Sequence, residues 1–104
     1  MKGVFYDAVK EQWREVSFSN KKDIISTFGD KQSIGLVNIS ETMGAFYNTE
    51  AIQENSKANM VMALGVPLPF VGSLLFVGRD GNIVRDLSDD IGIAELRSIV
   101  IPLF

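Results

Sequence analysis

The run GSLLFVG, residues 72–78, constrains the fold more than any other part of the chain. It is nearly continuous in apolar residues, which suits a strand covered on both faces rather than one. Asp80-Gly81 follows, a strong hairpin signal, because a tight two-residue turn needs positive φ. NIVRDL then returns with β-branched residues. The sequence therefore predicts a hairpin at the centre of a sheet, turning at Asp80-Gly81. Pro67 and Pro69 stand just before it and make a central strand unfavourable there.

The flanking segments read as sheet and helix in alternation. KGVFYD and WREVSFS predict an antiparallel strand pair; Arg14, Val16 and Phe18 alternate with Trp13, Glu15 and Ser17, a period of two. In SNKKDIISTFGDK, Asn20 can cap a helix, Asp23 stands three residues later, and Ile24, Ile25 and Phe28 share a face before Gly29 ends it. SIGLVNI and MGAFYN predict a second strand pair across the turn SET. TEAIQENSKAN holds no sustained period, with one helical turn at Glu50–Glu54 or a loop as its two readings. MVMALG is too short to assign by period. Ser88 and Asp89-Asp90 favour a helix start, and DDIGIAELRSIVI is helical in pattern up to Pro102. The fold class expected is α+β: a single domain, residues 1–104, with a mainly antiparallel sheet and two helices packed on it.

Several chemistries are excluded by composition. The chain has neither cysteine nor histidine. That removes disulfides, thiolate and imidazole metal sites, cysteine nucleophiles and Ser-His-Asp catalysis. A net charge of −3 without a basic patch argues against nucleic-acid binding. No run approaches the ~20 apolar residues of a membrane helix, and the opening residues do not read as a signal peptide. The expectation is a soluble, cytoplasmic protein.

No constellation in the sequence carries a reaction. DGNIVRDLSDD begins like a calcium loop but puts Val84 where an oxygen ligand is needed and lacks the closing glutamate. Asp80, Asp86, Asp89 and Asp90 read instead as turn, strand-edge and helix-start residues. Glu11 with Glu15, and Glu50 with Glu54, have the spacing of solvated acidic pairs. The glycines form no phosphate cradle. No metal and no cofactor is expected. The polar segment ENSKANM offers Asn55, Ser56, Lys57 and Asn59 as donors and acceptors, with Lys57 its one cation. Tyr47 and Asn48 precede it, an aromatic beside an amide that could stack on and hydrogen-bond a base. Phe46 reads as core, Tyr47 as half-buried, and Met60 and Met62 as core filler. Tyr47, Asn48, Asn55, Lys57 and Asn59 are thus the candidate ligand- or partner-binding residues.

Two family resemblances accompany this reading. Pro67 to Ile99 resembles the C-terminal half of thioredoxin-like proteins, but their Cys-x-x-Cys site has no counterpart here. MKGVFYD, WREVSFS, DIISTFG, AFYN, NSKAN and VGSLLFVGRDGN, in that order, resemble a family of small domains of unknown function common in bacteriophages and mobile elements. The apolar C-terminal helix and the sparse acidic residues depart from that pattern. The resemblance implies a phage-type accessory protein in an infected host cell, and a ligand or partner site at Asn55, Lys57 and Ala58. The function expected is a non-enzymatic interaction module binding a host or phage protein, with self-association as a further mode. The alternative is a small-molecule binder that sequesters a nucleotide-like anion.

Overall fold

A computed structural model describes residues 1–29, 33–50 and 58–102. The elements run β1 (Lys2–Asp7), β2 (Gln12–Ser17), α1 (Lys21–Thr27), β3 (Ile34–Asn38), β4 (Met43–Asn48), β5 (Ala58–Ala63), β6 (Val66–Val71), β7 (Leu74–Asp80), β8 (Ile83–Arg85), α2 (Ile93–Arg97) and β9 (Val100–Pro102). Every strand pairing is antiparallel. The broad class, α+β with a mainly antiparallel sheet, is as the sequence indicates.

The described strands form two sheets rather than one. The larger has the order β2-β1-β7-β4-β3, with β8 pairing β7; the smaller has the order β6-β5-β9. β7 lies between β1 and β4, and Leu74, Leu75, Phe76 and Val77 are all fully buried. Its alternation explains why an unbroken apolar run was needed. Leu74 and Phe76 face one way, into a core with Val4, Tyr6 and Ala45 from the same sheet and Val61, Ala63 and Val100 from the smaller one. Leu75 and Val77 face the other way, against Phe5, Phe18 and Ile24 of α1. So α1 covers one face, and the second sheet, with Leu96 of α2, covers the other.

The N-terminal half follows local signals closely. β1 and β2 form the expected hairpin. Asn20 caps α1, its Oδ1 accepting from the Asp23 N–H at 3.0 Å, and Asp23 Oδ2 accepts from Ser19 N–H at 2.8 Å. Phe46 and Tyr47 are both half-buried, although Phe46 had been expected in the core. The hairpin between β7 and β8 differs by one residue from expectation. Asp80 pairs with Ile83, so the loop is Gly81-Asn82, and Gly81 alone supplies the positive φ of 61°.

The C-terminal segment is the main correction. The long helix expected through DDIGIAELRSIVI is only Ile93–Arg97, and Val100–Pro102 is a strand on β5. Gly92 is a poor helix residue, and β-branched Ile99, Val100 and Ile101 favour strand. Burying Val100 in the inter-sheet core decides it. Ser88 accepts from the Asp90 N–H rather than capping α2, whose Gly92 N–H donates to Glu95 Oε2 at 2.8 Å. The helical turn considered at Glu50–Glu54 lies largely outside the described residues.

Candidate functional site

The carboxylates of the hairpin region serve the fold. Asp86 Oδ1 accepts from the Lys2 N–H at 2.6 Å, and Leu87 N–H donates to Lys2 O at 2.9 Å. Lys2 Nζ stands 2.6 Å from Asp89 Oδ1. That hydrogen-bonded pairing lowers the Asp89 carboxyl below its ordinary value and raises Lys2. Asp80 lies 3.3 Å from Arg85 across the turn. The Asp86, Leu87 and Asp89 contacts pin the segment after β8 to β1, and the Asp80–Arg85 pair closes the hairpin itself. Among the described residues, no group of three or more acidic side chains could hold a metal ion.

Of the five residues of the polar site expected from the sequence, the described ones are Tyr47, Asn48 and Asn59. Tyr47 and Asn48 end β4. The Tyr47 ring crosses over Gly35 on the paired β3, where a Cβ would come within 2.8 Å of the ring. Gly35 is therefore what lets Tyr47 lie flat. Phe70 of β6 packs edge-on against Tyr47, with centroids 5.2 Å apart. Together with Asn48, Thr49, Pro69 and Val71 these rings line an open cleft of about 230 Å³. Asn48 is buried, and its Oδ1 accepts from the Glu50 N–H at 3.0 Å, which shapes the chain leaving β4. Asn59 pairs with Phe70 across β5 and β6. It is 1% exposed, and its Nδ2 has no hydrogen-bond partner among the described residues. Asn55 and Lys57 lie outside the described residues. Tyr47, Phe70 and Asn59 are thus linked through Phe70, a residue sequence reasoning did not single out.

A second feature was missed altogether. Asn59, Val61 and Ala63 of β5 point into the core, so Ala58, Met60 and Met62 point out. Met60 pairs with Pro69 on one side and Ile101 on the other, and Met62 pairs with Pro67. Paired residues share a face. Among the described residues, the outer face of the small sheet therefore carries Ala58, Met60, Met62, Pro67, Pro69, Val71 and Ile101, with no polar side chain at these paired positions. Pro67 and Pro69 are exposed, Ile101 is 54% exposed, and Met60 and Met62 are half-buried rather than core. The signal was present in the sequence: from Met60 to Val71 both phases of the alternation are apolar.

Two further concavities lie elsewhere among the described residues. A largely apolar groove of about 310 Å³ runs beside α1 between Phe18, Ile24, Phe46 and Val84. Another, about 360 Å³, is walled by Tyr6 and Trp13 with Glu11 and Arg97 at its rim. Burial, with Glu11 and Asp7 adding to it, pushes the Tyr6 phenol above its ordinary value. Among the described residues, no helix is long and apolar enough to cross a membrane.

No protein-family model, no curated protein and no solved structure matches the chain.

Proposed function

We propose that this protein is a small non-enzymatic interaction module, of the accessory kind found in phages, that docks a partner protein on the outer face of the β6-β5-β9 sheet. The observation that carries the reading is the all-apolar composition of that face. A strand with one face in the core ordinarily sets polar residues on the other. Here Met60, Met62, Pro67, Pro69 and Ile101 face outward instead. Contiguous exposed apolar surface commonly marks a protein contact, and methionine adapts its shape to a partner.

The dimensions of the face support one kind of occupant. Strand spacing and rise give the face a footprint of roughly 250 Å². That is well below the ~800 Å² per partner of a stable interface between two globular surfaces. It does match one amphipathic helix, about 10 Å across, laying an apolar stripe along the sheet. A partner helix is therefore the occupant.

The test compares capture from a host lysate by the wild type, Met62→Lys, Ile101→Glu and Arg14→Ala. The reading expects a species retained by the wild type and Arg14→Ala and lost from both face variants. Identical retention by all of them would overturn it. Substrate turnover abolished by a single carboxylate substitution would overturn the non-enzymatic part.

A second reading rests on Asn59. A buried amide donor without an acceptor is costly, and a small anionic ligand beside Tyr47 and Phe70 would supply one. Native mass spectrometry of the purified protein tests this: added mass supports a small-molecule binder, and a bare species dismisses it.

A further inference from the structure

The edges of the two sheets are not equally protected. Met62 N–H donates to Ile99 O, so Met60 and Met62 turn their backbone groups toward β9, and Asn59, Val61 and Ala63 turn theirs toward β6. Their partners Val66, Leu68 and Phe70 complete that ladder. Pro67 and Pro69 consequently face outward, where each leaves the β6 edge without a donor. Proline at alternate outward positions blocks a further strand. β9 is short and ends on Pro102. β2 carries Arg14 and Glu15, both exposed, and β8 is a three-residue strand carrying Arg85.

Among the described residues, β3 has none of these guards. Its sequence, IGLVN, holds no proline and no charge. Thr49 N–H donates to Ser33 O, and Ile39 N–H donates to Met43 O. The odd-numbered residues thus pair with β4. Ile34, Leu36 and Asn38 turn their N–H and C=O groups away from it, and β3 ends the strand order of the sheet. Leu36 is 45% exposed at the middle of this edge.

We propose that β3 is a self-association edge, where a second copy of this chain adds its own β3 antiparallel across a two-fold axis at Leu36. In that register each outward N–H meets an outward C=O. Ile34 stands opposite Asn38 of the second copy, and Leu36 stands opposite its own counterpart, so the two exposed leucines cover each other. The contact is isologous, and such a contact closes as a dimer. No like charges oppose each other along the strand. The small sheet's outer face takes no part, so this inference stands apart from the partner-helix reading.

The test is sedimentation equilibrium over a wide concentration range. The wild type should move from the 11.5 kDa monomer toward twice that mass as concentration rises. Leu36→Pro removes an N–H that points away from β4 and therefore leaves the native ladder whole. Leu36→Lys sets like charges against each other at the axis. Both variants should remain at the monomer mass at concentrations where the wild type dimerises, with the unfolding transition of Trp13 fluorescence still cooperative. A wild type that stays monomeric at the highest concentration would overturn the inference. So would Leu36→Lys dimerising as the wild type does, a variant that does not depend on tolerance of proline.

Discussion

Replacing Leu75 with alanine tests whether β7 is the centre of the molecule. Leu75 is fully buried and packs among Phe5, Phe18, Ile24 and Val77. Its Cδ1 fills the gap over Gly3, 3.3 Å from where a Cβ would stand. The substitution removes the equivalent of three methylenes, about 2.4 kcal/mol at ~0.8 kcal/mol each. The cavity adds on the order of 1 kcal/mol, because a site in mid-sheet between paired strands relaxes little. The expected loss is therefore ~3–4 kcal/mol, or roughly 12–25 °C in Tm for a domain of this size. Asp80→Ala is the contrast. It breaks only an exposed contact to Arg85 and should cost less than about 1 kcal/mol. Urea titration read by Trp13 serves as the assay, since that single tryptophan packs on Tyr6 and Phe76 with centroids 4.6 and 6.0 Å away. Equal small losses for both variants would refute a central β7 and the two-sided core built on it.

Two more predictions concern single side chains. Asn59→Leu exchanges a buried amide with no hydrogen-bond partner among the described residues for an apolar group of similar size, so the apoprotein should hold its stability or gain; a loss above about 1 kcal/mol would mean that the amide is satisfied in the folded protein. Tyr6 should make the protein lose stability in alkali. Its folded phenol titrates above the ordinary 10.0, so in that window the unfolded chain has released a proton that the folded chain keeps, and stability falls as pH rises. Urea midpoints measured from pH 8 to 11 should decline more steeply for the wild type than for Tyr6→Phe, and parallel declines would contradict the assignment.

Local chemistry made the first half of the fold legible. Asn20 and Gly29 bracket α1, SET turns β3 into β4, and the apolar run at 72–78 announces a doubly covered strand. What covers that strand is a tertiary matter. The second sheet is assembled from β5, an ambiguous apolar run, β6, whose prolines fit only an edge, and β9, hidden inside a helical pattern. Val100 became strand because its burial against Val4 and Leu74 outweighs the helical periodicity around it. The candidate site was legible in part for the same reason. Tyr47 and Asn59 were visible as residue types near a polar segment. The contact joining them needs Phe70, more than twenty residues from Tyr47, and pairing alone brings Phe70 there. The apolar outer face was written in MVMALGVPLPFV, but it becomes a face only once β5, β6 and β9 lie side by side.

Methionine oxidation tests the central claim most directly. Met60 and Met62 stand on the outer face, whereas Met43 is buried at 8% exposure beneath the sheets. Thioether oxidation follows access. In the free protein, peptide mapping after brief peroxide treatment should find Met60 and Met62 converted well before Met43, and a bound partner should slow those two specifically. Met60 and Met62 oxidising no faster than Met43 in the free protein would mean that the face is already covered, and would contradict its role as an open docking surface.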